Sequence, residues 1–91
     1  MSSSAQKDNF SNIKIIIERQ IINVLDFLFT DNQIDEIEVV QVSRYVLKNI
    51  DTAQSVSDLF KQTRQFVNQY PLFKENISKT ITALNKSYVS R

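Results

Sequence analysis

Among its 91 residues the chain has no glycine, cysteine, histidine or tryptophan, and only one proline and one methionine. Each absence removes a class of chemistry. Without cysteine there is no disulfide, no thiolate nucleophile and no thiolate-held zinc or iron–sulfur site. Without histidine the usual general base, the triad base and the commonest metal ligand are missing. Without glycine there is no phosphate loop, no dinucleotide fingerprint and no glycine-rich anion cradle. Ser43 and Ser57 therefore have no base to activate them, and the sequence argues against an enzyme.

Long apolar runs are also missing. The greasiest stretch, Ile13 to Phe29, is interrupted by Lys14, Glu18, Arg19 and Asp26. Four charges in one span are too costly in lipid, so no membrane helix is expected. The opening Met-Ser-Ser-Ser-Ala-Gln-Lys-Asp has no signal-peptide core, and Ser2 excludes the myristoylation motif. The expected location is the cytoplasm.

What is present is the mixture of one small folded domain, 42% hydrophobic and 23% charged. The near-neutral total of +1 hides an asymmetry. Residues 1–38 carry three bases and seven acids, giving −4, while residues 39–91 carry eight bases and three acids, giving +5. The two halves suit each other within one domain, or the second half offers a basic face to a partner.

Periodicity points to an all-α, four-helix bundle with helices roughly over 11–30, 34–50, 56–70 and 71–88. A flexible polar tail, 1–10, precedes a single helical domain over 11–91. In the first helix, capped by Ser11, the residues Ile13, Ile17, Ile21, Val24 and Leu28 share a stripe at 100° per residue. Asp31 and Asn32 favour the break that follows. In the second helix Val39, Val42, Val46 and Ile50 face inward beside Tyr45, and Asp35, Glu36 and Glu38 suit the positive end of the helix dipole. Ser55 or Thr52 caps the third helix, where Val56, Leu59, Phe60, Thr63, Phe66, Val67 and Tyr70 recur at three and four. Pro71 starts the fourth with almost no loop, leaving a sharp corner after Tyr70. Phe73, Ile77, Ile81, Leu84 and Tyr88 then point inward, and Glu75 with Lys79 forms an i,i+4 pair.

The first helix carries more apolar circumference than one neighbour covers. Ile16 and Phe27 flank the main stripe, and Ile15, Ile22 and Phe29 form a second one at spacings of seven. Leaving those three in water forgoes roughly 1.5–3 kcal/mol each. Either the helix is central and wrapped by the other three, or its second stripe meets another protein or a second copy of the chain. The functional expectation is a small non-enzymatic interaction module, with Ile15, Ile22 and Phe29 as its anchors.

Two alternatives stand beside it. One is a helix-turn-helix-like nucleic-acid binder, built from the second and third helices, with Lys61, Arg64 and Gln65 as its readers. Against it, the turn has no glycine, the second helix is long and the net charge is small. The other is a ligand-sensing or inhibitor- and immunity-type bundle. The acids Asp31, Asp35, Glu36 and Glu38 do not make an EF-hand. A loop starting at Asp31 needs glycine where Glu36 stands and a bidentate glutamate where Val42 stands. No cofactor or metal is expected.

Overall fold

A computed structural model describes the backbone of residues 2–89, and side chains from Asn9 to Ser87. The chain is all-α, with four helices and no strand among the described residues. α1 spans Ser2–Thr30, α2 Glu36–Tyr45, α3 Val56–Gln69 and α4 Lys74–Leu84. α2 continues as a π-helical turn over Val46–Ile50, and α4 as another over Asn85–Val89. A 3-10 turn, Pro71–Phe73, leads into α4.

The breaks fall where the side chains dictate. α1 ends with Asn32 at φ 62°, the left-handed conformation that Asn tolerates better than most residues. The Gln33 amide then reaches back to the Leu28 carbonyl at 2.9 Å and the Asn32 amide to Phe29 at 3.1 Å, the pairing of a Schellman cap. Asp35 caps α2 by accepting from the Glu38 amide at 2.9 Å. Ser55, not Thr52, caps α3, accepting from the Asp58 amide at 3.0 Å. Thr52 instead donates to the Lys48 carbonyl at 2.6 Å, closing the end of α2.

Two helix starts differ from expectation: α2 begins at Glu36, after its Asp35 cap, rather than at residue 34, and α1 begins well before residue 11. α1 begins at Ser2, so Ser11 lies within the helix and caps nothing. A helix of 29 residues is about 43 Å long, in keeping with the 46 Å long axis of the molecule.

The core runs through all four helices. α1 contributes Ile13, Ile17, Ile21, Val24, Leu25 and Leu28, and packs most extensively on α4 while also touching α2, α3 and the Pro71–Phe73 turn. The expected inner residues of α2, α3 and α4 are buried or half-buried, although the Tyr88 side chain lies outside the described set. Ile34 and Ala53 are buried too, although both sit in connections. The sharp corner after Tyr70 is real: the Phe73 amide donates to the Tyr70 carbonyl at 3.0 Å. The Phe66 and Phe73 rings meet edge-on at 5.0 Å across it. Tyr45 packs tilted against Phe66 and edge-on against Tyr70, so α2 lies alongside the far end of α3. Burial within this aromatic group, and then the nearby Tyr70, raises the Tyr45 pKa. Thr63, the buried polar residue of the core, is satisfied by donating to the Leu59 carbonyl at 2.7 Å.

Candidate functional site

The two apolar stripes of α1 meet different fates. Ile13, Ile17 and Ile21 are almost completely enclosed. Ile15, Ile22 and Phe29 remain 48%, 57% and 42% exposed. The helix does touch all three others, yet they do not wrap it. Three neighbours cover about half of its circumference, and residues spaced at seven hold their position on the far side, drifting only about 20° per heptad. Ile16 and Phe27, on the opposite flank of the buried stripe, are exposed as well.

α2 extends this surface. Val40 and Leu47, again seven apart, are 48% and 63% exposed. Tyr45 points α2 toward α3, so the opposite flank of α2 turns to α1. Val40 and Leu47 lie on the outer side of that flank by helical phase. The hairpin register follows from three observations. The chain reverses over residues 31–35, and the Lys14 ammonium donates to the Asp51 carbonyl at 2.7 Å at the other end. Glu18 also lies beside Asp51, so facing residues sum to between 65 and 69, which sets Ile22 opposite residues 43–47 and Leu25 opposite residues 40–44. Ile15, Leu47, Ile22, Val40 and Phe29 then alternate between the helices as one apolar face. Sequence reasoning named the α1 members and missed the α2 ones. Their shared spacing of seven was the available signal.

Charged groups border the face. Arg19 and Asp26 lie along its edge on α1, on the side away from α2, and both are exposed. Among the described residues neither makes an ion pair; the pair present is Lys79 with Glu75 at 3.5 Å. On the α2 side Glu18 is half-buried near Asp51. Burial raises the Glu18 pKa to about 7, helped by a hydrogen bond and the negative charge of Asp51 and opposed by Lys14.

The residues of the nucleic-acid alternative sit elsewhere. Lys61, Arg64 and Gln65 are exposed on α3, with the Arg64 guanidinium 5.9 Å from the Phe60 ring centre. Arg64 also borders a shallow groove of about 390 Å³ between α3 and α4, together with Lys74, Ser78 and Asn85. A second groove, of about 480 Å³, lies by the first turn between Phe29 and the acids Asp35, Glu36 and Glu38. Among the described residues no three metal-ligating side chains come together, and no helix is long and apolar enough to cross a membrane. No family model, curated protein or solved structure matches the chain.

Proposed function

We propose that this chain is a non-enzymatic protein–protein interaction module, and that its docking surface is the outer face of the α1–α2 hairpin. The observation that carries the reading is the exposure of Ile22 in the middle of a row of like residues. A large apolar side chain in water forgoes about 1.5–3 kcal/mol of burial. Five such groups on one face exceed the scattered single apolar residues normal on a monomer surface. The rest of the chain supports this reading, because α3 and α4 segregate their apolar residues inward and leave no comparable face.

Site-specific photo-cross-linking in the cell that makes the protein tests it. A photoreactive residue at Ile22 should yield discrete protein adducts, and the same residue at Gln65 on α3 should yield few. Equal yields from the two positions would contradict the proposal.

A further inference from the structure

Resting on that reading, we infer that the occupant of the face is a second copy of this chain, lying antiparallel across it about a two-fold axis at the level of Ile22. The argument is one of self-complementarity, which a two-fold interface demands of the surface that makes it. The exposed row of α1 is symmetric about its middle member. With the axis beside Ile22, facing residues of α1 and its copy sum to about 44, so Ile22 meets Ile22, and Ile15 meets Phe29. Such a rotation also lays α2 on its own copy.

By the hairpin register the same axis crosses α2 within a turn of Ser43. For an axis at Ser43 facing residues sum to about 86, and Val40 and Leu47, on either side of Ser43, meet each other. The symmetry centres of two separate apolar pairs thus fall within about a helical turn of one another.

The charges at the edge obey the same symmetry. Arg19 and Asp26 lie on one flank of α1, either side of Ile22, exposed and without an ion-pair partner among the described residues. In the antiparallel arrangement Arg19 of one protomer faces Asp26 of its partner, and the pairing occurs twice. A parallel arrangement would set Arg19 against Arg19 and Asp26 against Asp26. Charge complementarity therefore selects the antiparallel copy. Arg44 stands to Val40 and Leu47 as Arg19 stands to Ile15 and Ile22, so it borders the face on α2, exposed, and comes near its own copy at the axis, a like-charge contact that a parallel arrangement would share. An antiparallel α1 pair also suits the ridge geometry of bundles, with the helices about 20° from antiparallel.

Sedimentation equilibrium on the purified full chain tests the inference, with circular dichroism confirming that each variant stays helical. The wild type should show a concentration-dependent species of twice the 10.6 kDa chain mass. Ile22→Asp should be a folded monomer. Arg19→Asp and Asp26→Arg should each weaken the dimer by roughly tenfold, because two exposed pairs become two repulsions. The double variant Arg19→Asp/Asp26→Arg should recover most of the loss, which a merely structural role for either residue would not produce. A dimer indifferent to all four changes would overturn the inference. A wild type that is monomeric at every concentration would overturn it too. If adducts to a different protein still form at Ile22, the docking face survives and only its occupant is wrong; if they do not, both readings fail.

Discussion

α3 and α1 solve the same problem with different results. In α3 every apolar side chain is buried or half-buried, and Lys61, Arg64, Gln65 and Asn68 take the solvent face. In α1 the buried stripe is as complete, yet Ile15, Ile16, Ile22, Phe27 and Phe29 are left outside it. The two helices share a core and neighbours, so the contrast lies in the sequence. α3 is amphipathic, whereas α1 is apolar around most of its circumference. A helix of the first kind is finished by its own chain, and one of the second kind needs further cover.

Substitutions along each helix sharpen that contrast. Truncating the enclosed side chains should cost most: Phe66→Ala in α3 about 3–5 kcal/mol and Ile17→Ala in α1 about 2–5 kcal/mol in urea denaturation. The outer row should behave in the opposite way. At concentrations where the chain is monomeric, Ile22→Ala should change stability by less than about 0.5 kcal/mol. A loss as large as that of Ile17→Ala would erase the distinction between the two stripes.

The next effect depends on pH, at the edge where α1 meets the end of α2. The folded-state pKa of Glu18, about 7, lies above its ordinary 4.5. Its neutral carboxyl therefore contributes stability that is complete below the ordinary value and is lost as pH rises through the folded one. The melting temperature of the wild type should fall across that interval relative to Glu18→Gln, whose amide stays neutral throughout. Parallel pH profiles for the two proteins would show that the site is solvated like any surface carboxylate. Solvent screening of this half-buried group keeps the effect below that of the core truncations.

Loss of a cap comes next: Ser55→Ala and Asp35→Ala should each cost about 1 kcal/mol in thermal melts. Smallest of all, Lys61→Ala and Arg64→Ala on the solvated face of α3 should stay within about 0.5 kcal/mol and leave self-association untouched. A larger response from Arg64 would measure its stacking on Phe60.

Most of the fold is legible in the residues, for identifiable reasons. The three-and-four spacing from Val56 to Tyr70 admits one buried face, and Ser55, Asn32 and Pro71 each mark a break through a specific backbone requirement. The start of α1 was less readable, because Ser and Gln neither forbid nor demand a helix. Ile34 and Ala53 escaped notice because burial of a residue in a connection is set by tertiary closure, which periodicity does not report. The anchors Ile15, Ile22 and Phe29 followed from spacing within one helix. Val40, Leu47 and the Glu18–Asp51 encounter depend on which flank of α2 lies against α1, and that emerges once Tyr45 and Lys14 find their partners.

Isoleucine methyl groups give the most direct test, since they mark both stripes of α1. In methyl NMR with a soluble paramagnetic agent, Ile13, Ile17 and Ile21 should be protected at every protein concentration. Ile15 and Ile22 should be broadened in dilute solution and become protected as concentration rises, while Ile16, on the other flank, stays broadened throughout. If Ile15 and Ile22 remain as accessible as Ile16 in the most concentrated solution, the outer row does not receive a second copy of the chain.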